Sequence, residues 1–455
     1  MDRSLLVGLW AACLAAGLAA CGGGEPRPAS VVLLVADDLG RGDLGVLGLG
    51  PDVTPRLDRL AAEGLVAHRA YTPSALCRPS RASLMTGCYP HNTGRSWYGE
   101  MREDLEQWPD RFRRARFVTG VIGKTAVEEK RERWDFSEGG RIGYEKGRSP
   151  EYYSGLTADF LDLAADRPFA LVVDFFDPHC PSDRVALQRL QQRATEEQLR
   201  DVRPPPNLPS TGVLRQEQYR YREDVRRLDR SVGAVLDELE RRGRAADTLV
   251  MFVSDNGADL PFAKATLYEA GINMPLLVRW PGRVAPGSAT QALVSFVDLL
   301  PTALEAAGLT PPGGIDGRSL VGLLEGRVAA HRDLVFGEQD ESREGEAAPS
   351  RSVVDARYKY IRHFRLDTPF EVASMRTRTW ESVVRAAADD PALAARIDRL
   401  RNRPREELFD LEADPWELVD LSADAAHRAL LERLRAQLRD WMEREDDPLL
   451  AEWGS

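Results

Sequence analysis

The chain has 455 residues, 43% of them apolar and 29% charged, which allows a large core and predicts one big domain with a smaller appendage. A formal net charge of -11 argues against nucleic-acid binding in general, though not against a local basic pocket. At the N-terminus, Arg3 and the apolar run Leu5 to Ala20 predict a targeting segment, with a membrane anchor helix as the competing reading.

Next in order, Leu18-Ala19-Ala20-Cys21 resembles a bacterial lipobox, in which the Cys is lipidated and becomes the mature N-terminus. Gly22-Gly23-Gly24 then reads as part of a flexible tether over residues 21–30. This predicts an exported protein held at the cell envelope through a lipid on Cys21. Val31 to Ala36 is a short apolar run that fits a strand buried on both faces, and Asp37-Asp38 follow at its end. Thr54-Pro55 opens a helix through Glu63. Further strands are predicted over Arg116 to Ile122, Phe169 to Phe175, Asp247 to Val253 and Pro275 to Trp280. They end in Gly123-Lys124, in Asp177-Pro178-His179 and in Ser254-Asp255-Asn256-Gly257. Helical patterns over Thr157 to Ala165 and Glu217 to Arg242 lie between them.

Such alternation predicts an α/β fold: a large, mostly parallel sheet sandwiched by helices over residues 31–330. Ligands in folds of this kind bind beyond the carboxyl ends of strands, where the polar residues converge. Short antiparallel strands are predicted over Asp333 to Gly337, Ser352 to Val354 and Tyr358 to His363, with a terminal helix over Ala425 to Glu443. Residues 331–455 therefore read as a C-terminal subdomain of antiparallel sheet plus helix.

Asp37, Asp38, Asp255 and Asn256 are oxygen ligands with no accompanying His or Cys cluster, a set that selects Ca2+ first and Mg2+ second. Each pair alone also reads as a turn or helix cap. Only five lysines occur, so Lys124 at a strand end and Lys264 in Lys264-Ala265-Thr266-Leu267-Tyr268 stand out, with a solvated surface charge as the bland reading of either.

Cys77-Arg78-Pro79-Ser80-Arg81, followed by Ala82-Ser83-Leu84-Met85-Thr86-Gly87, resembles the sulfatase signature. Pro79 fits the first residue of a helix and Gly87 its stop, which sets Cys77 just ahead of a helix N-terminus, where negative charge is stabilised. The resemblance implies an alkaline-phosphatase-like fold and conversion of Cys77 to Cα-formylglycine by a generating enzyme. The aldehyde hydrate would attack sulfur with one hydroxyl and collapse through the other to release sulfate. It further implies that Asp37, Asp38, Asp255 and Asn256 hold a divalent metal and that Asp255 activates the hydrate. Arg81, Lys124 and Lys264 would then stabilise charge, and His179 would act near the leaving group, unless it is a structural His capping its loop. Sulfatases usually carry a His two residues after the Lys of the Gly-Lys pair. Here Ala126 stands in that place, with His68 or His91 as candidate substitutes.

Asp177-Pro178-His179 and the segment around Pro261 look most like the heparan N-sulfatase (sulfamidase) branch, which implies a sulfated amino sugar or glycosaminoglycan fragment as substrate, with Asp177 near it. Two rivals stand beside this reading: a phosphodiester or phosphonate monoester hydrolase of the same superfamily, and a lipid-anchored glycan-binding protein of weakened activity. The basic clusters Arg111 to Arg116 and Lys130 to Arg133 suit either a polyanionic glycan or a solvated helix face.

Overall fold

The computed structural model describes residues 29–48, 53–94, 99–124, 131–139, 146–179, 193–341 and 347–454. The targeting segment, the lipobox, Ala126, Lys130 and Cys180 lie outside them. Among the described residues no helix is long and apolar enough to cross a membrane.

The first strand, β1 (Ser30–Asp37), sits near the middle of a nine-stranded sheet. Successive side chains of a strand face opposite ways. Val31, Leu33 and Val35 accordingly enter one core, while Val32, Leu34 and Ala36 enter another, on the far side. The remaining strands are β2 (Leu65–Tyr71), β3 (Val118–Gly123), β4 (Phe136–Glu138), β5 (Phe169–Pro178), β6 (Thr248–Ser254), β7 (Asn273–Arg279), β8 (Ser288–Thr290) and β9 (Val294–Ser295). The order is β4-β3-β5-β1-β6-β7-β2-β8, with β9 also beside β2. All neighbours pair in parallel except at β7, which runs antiparallel to β6 and β2.

Helices α1 (Pro55–Ala62), α4 (Pro150–Ala164) and α5 (Gly212–Arg241) cover one face; α3 (Trp108–Arg114) and α6 (Leu299–Ala306) cover the other. Between these in sequence lies α2 (Cys77–Thr86). Helix α4 begins seven residues before the expected Thr157, because Ser149 caps it and Pro150 takes its first position. Helix α5 begins at Gly212 for the same kind of reason: the Thr211 hydroxyl accepts from Leu214 N–H. Strand β2 has no counterpart among the predicted elements, since its centre, His68-Arg69, breaks the apolar run.

The second sheet is antiparallel, ordered β10 (Val335–Glu341), β11 (Ala347–Val354), β12 (Tyr358–His363) and β13 (Glu406–Asp410). Leu408-Phe409-Asp410 belongs to β13, which has no counterpart among the predicted elements, and pairs with β12. A terminal helix α7 (Arg428–Arg444) packs Leu431, Leu434, Leu438 and Trp441 on this sheet.

Three arginines of α3, and Arg133 beyond it, are already paired with carboxylates. Arg111 and Arg114 meet Glu106, Arg113 meets Asp135, and Arg133 meets Asp110.

Candidate active site

Three central strands and β3 deliver their polar ends to one place. Parallel register puts Ala36 beside Ser254, Asp37 beside Pro178, and Gly123 beside Asp174. The close approach at Gly123 requires glycine: its φ is +90°, and a Cβ there would lie 1.9 Å from the Asp174 carbonyl oxygen. That same oxygen accepts from Lys124 N–H at 3.0 Å.

Consecutive strand residues would send Asp37 and Asp38 to opposite faces. Asp38 instead adopts φ +65°, a left-handed conformation that Asp tolerates better than most residues. Carboxylate oxygens of Asp37, Asp38 and Asp255 consequently lie within 4.8 Å of one another, all buried. The Asn256 amide nitrogen donates to Asp38 Oδ1 at 2.8 Å and to the Gly257 carbonyl at 2.8 Å. These two bonds fix the amide's orientation, and its Oδ1 is left buried without a hydrogen-bond partner. Gly257 is tied down in turn, since a Cβ there would meet the Ala270 carbonyl at 1.8 Å.

The cations interleave with these acids. Lys264 Nζ lies 2.6 and 2.7 Å from the two Asp38 oxygens, and Lys124 Nζ 2.5 Å from Asp37 Oδ2. Arg81 reaches Asp37 Oδ1 at 3.2 Å, Asp174 Oδ2 at 3.0 Å and Asp255 Oδ2 at 2.7 Å. Four carboxyl groups thus alternate with three cations in this buried site. Three carboxylates and an amide carbonyl are hard oxygen donors, and the unpartnered Asn256 Oδ1 gives them a further free ligand atom. The residues thus fit Ca2+ or Mg2+.

Cys77 opens α2, two residues earlier than the expected helix start, and Pro79 is the third helical residue. Proline is accommodated there because first-turn N–H groups have no partner within the helix. Gly87, at φ +72°, ends the helix as expected. Burial raises the Cys77 thiol above its ordinary value, against the lowering pull of Lys124, Lys264 and Arg81. Burial also raises Asp255, to about 8, and Asp37 and Asp38 add to the rise while Arg81 and Lys124 oppose it. For Asp37, the attraction of Lys124, His179 and Arg81 overcomes burial and holds the carboxyl well below its usual range.

His179 Nε2 lies 3.8 Å from Asp38 Oδ2. Burial dominates its surroundings and lowers it to about 4, despite Asp37 and Asp38, so the ring is neutral at pH 7 and offers one N–H. The other five histidines are committed elsewhere: His68 to Arg41, His91 to Glu338 and the Glu445 carbonyl, His331 to Asp298, His363 to Glu407, and His427 to Asp424. Neither His68 nor His91 stands in for the residue expected at 126. Asp177 is 2% exposed, and its carboxylate is held by Arg227 at 2.6 and 2.7 Å and by Arg148. It anchors the segment carrying His179, whose carbonyl accepts from Arg148 at 2.5 Å.

The nine residues expected to hold the metal or act on the sulfate thus occupy one cluster, seven of them buried and Lys124 and His179 partly exposed. Four further members were not anticipated. Asp174 is an acid in the middle of an apolar strand, a signal in itself, since a buried carboxylate needs a cation. Thr72, Ser80 and Ser254 are buried hydroxyls that brace the site: Ser80 Oγ donates to the Asp255 carbonyl at 2.6 Å, and Ser254 Oγ accepts from Leu39 N–H at 2.9 Å. Small hydroxyl residues carry no sequence signal that separates this role from ordinary packing.

Comparison with known proteins agrees with the geometry. Residues 29–309 match the sulfatase family model, and residues 259–403 match the C-terminal model of N-sulphoglucosamine sulphohydrolase. The human N-sulphoglucosamine sulphohydrolase is 32% identical over 93% of this chain and 91% of its own. A structure solved with its substrate D-glucosamine-2-N,6-O-disulfate superposes with a TM-score of 0.70 at 19% identity, over 93% of this chain and 99% of that one. A phosphonate monoester hydrolase from Silicibacter pomeroyi gives 0.66 at 21% identity, over 92% and 96%. At these identities the two structures speak for the fold alone.

Proposed function

The chain belongs to the sulfatase family, and from that premise we propose that it removes sulfate from a sulfated amino sugar of glycosaminoglycan type, with the N-sulfate as its first target. The observation that carries this reading is the cluster itself: one cysteine at a helix start, three cations and an oxygen-only donor set meet in one buried place. The agreement of residues 259–403 with the N-sulphoglucosamine branch supports the nitrogen-linked sulfate in particular.

Asp37, Asp38, Asp255 and Asn256 would hold Ca2+, which when bound supplies charge to polarise a sulfate oxygen and the nucleophile. Cys77, oxidised to formylglycine, supplies that nucleophile. Arg81 holds Asp37 and Asp255 in position beside it. Lys124 and Lys264 provide fixed positive charge where the sulfuryl group gains negative charge. The neutral His179 ring donates a hydrogen bond toward the leaving nitrogen or oxygen. With no second histidine in the cluster, proton removal during release falls to Asp255 or to water, and slow turnover follows. Export and a lipid on Cys21 complete the proposal.

The test joins a mass to a rate. Protein produced with the converting enzyme should show, in the peptide spanning Cys77, the mass of an aldehyde in place of the thiol. It should release sulfate from N-sulfoglucosamine faster than from O-sulfated glucosamine, and turn over aryl phosphonate more slowly than either. An intact thiol in active protein, or preference for phosphonate, overturns the reading.

A further inference from the structure

A cavity of about 870 Å³ contains none of the nine site residues in its wall. It lies beside them, because Gly40, Ala258 and Ala263 line it while Asp38, Asn256 and Lys264 are their near neighbours in the chain. One side chain braces both places: Tyr221 Oη contacts the Asp38 carbonyl at 3.0 Å and Asp43 at 2.9 Å, and accepts from Gly40 N–H at 3.1 Å. The volume is of the size that holds one or two sugar rings.

Two cations in its walls, Arg41 and Arg222, have no carboxylate at ion-pair distance among the described residues. Among the described residues Arg41 has a single hydrogen-bonding partner, the neutral ring of His68, at 3.2 Å, and its Nε is buried without any. Among the described residues Arg222 hydrogen-bonds only the Asp201 and Arg203 carbonyls, at 3.3 Å each, and its Nε is likewise buried and unpartnered. Arg69 holds the Asp355 and Ala356 carbonyls at 2.6 Å. Burial works against the charge of Arg41 and of Arg222 and lowers both below the ordinary arginine value, outweighing the more distant pull of Glu269 on Arg41 and of Asp43 on Arg222. The carboxylates of the same wall are mostly engaged elsewhere. Asp43 meets Tyr221, Glu269 pairs with Lys359 at 2.8 Å, and Glu412 lies 3.5 Å from Arg357. A half-buried guanidinium left unpaired is costly, and an anion from outside relieves that cost. Because Arg41 donates to His68 Nδ1, the ring's proton sits on Nε2, which is a further donor with no partner of its own. At the rim, Trp416 is 37% exposed and offers the flat apolar face on which a sugar ring can lie.

The geometry points to a second binding site: this cavity takes an acidic sugar unit, a carboxylate or sulfate on Arg41, His68 and Arg222, with its ring against Trp416. Resting on the sulfatase reading, the occupant would be another unit of the same polyanionic chain whose sulfate is removed at Cys77. The site would then favour oligosaccharides over single sugars.

The test measures binding without turnover. In the Cys77→Ala protein, titrate a heparin-derived tetrasaccharide and N-sulfoglucosamine by calorimetry, then repeat with Arg41→Gln, Arg222→Gln and the double variant. Each single change should weaken the tetrasaccharide about tenfold and the pair by more, while the monosaccharide is unaffected. A desulfated but uronate-bearing tetrasaccharide distinguishes carboxylate from sulfate as the recognised anion. In the Cys77 background, the same two variants should raise KM for the tetrasaccharide and leave aryl sulfate turnover unchanged. Equal losses on both ligands, or none on either, overturn the proposal. Loss of aryl sulfate turnover in the unsubstituted protein would instead overturn the sulfatase reading and leave the binding result standing. Unfolding midpoints within a degree of the parent show that the variants are folded.

Discussion

Two buried ionic clusters of this protein use the same residue types for opposite ends. At the strand ends, Asp37, Asp255, Arg81 and Asn256 all keep buried polar atoms without a hydrogen bond, although the charges lie at ion-pair distance. At the junction of the two sheets, Arg351 is wholly buried and satisfied: Nε and Nη2 grip Asp447 at 2.6 and 3.2 Å, and Nη1 meets Asp340 at 2.5 Å. Beside it, His91 lies 2.7 Å from Glu338 and 3.0 Å from the Glu445 carbonyl, and none of these five side chains leaves a buried atom unpaired. One cluster is saturated and holds the halves together. The other is held open for charges still to come, which is how an active site stores its preference for a transition state.

Exchanging the readouts would break this comparison. Asp255→Asn should lower kcat/KM by about 10²- to 10³-fold, as expected for losing one aligned electrostatic group. Its unfolding midpoint without metal should not fall, because one carboxylate leaves a crowded group and Arg81 keeps two others. Calcium at a hundredfold excess over Kd should stabilise the parent by about 2.7 kcal/mol and this variant by less, read by thermal shift. At the junction, Asp447→Ala should behave in reverse. It should cost about 3–5 kcal/mol in urea unfolding by stranding Arg351, with kcat unchanged under conditions where the protein is folded.

The smallest effect sharpens the contrast through pH. Burial lowers the His91 imidazolium, but the Glu338 carboxylate outweighs it and raises the group to about 9 from an ordinary value of 6.5. A raised folded value means stability that is fully present below pH 6.5 and lost as pH climbs through 9. Between those limits the loss should reach about 3 kcal/mol at most. Urea midpoints at pH 6.5 and 9.5 measure it. His91→Gln should flatten the slope, and an equally steep slope in that variant would count against the assignment.

Most of the central sheet was legible because β1, β5 and β6 are buried on both faces and so read as apolar runs, interrupted only at Asp174 in β5 and otherwise polar only at their ends. The same logic exposed Asp37, Asp38, Lys124, His179, Asp255 and Asn256. Strand β2 was illegible because its centre turns His68 and Arg69 toward the cavity, which removes the apolar pattern that marks a strand. Strand β13 was hidden by Glu406 and Glu407, whose partners Arg435 and His363 come from distant parts of the chain. The binding of Arg81 to Asp174 escaped for a similar reason: a residue list shows which groups are charged, and only the register shows which of them meet.

The position of Cys77 imposes a timetable. Its side chain is 3% exposed, and it stands in the first turn of a helix whose early Ser80 N–H already bonds back to Leu76. No second protein can grasp this residue in extended form once that turn has closed. Any enzymatic rewriting of the thiol must therefore happen on the nascent or unfolded chain, and a maturase mixed with finished protein would arrive too late.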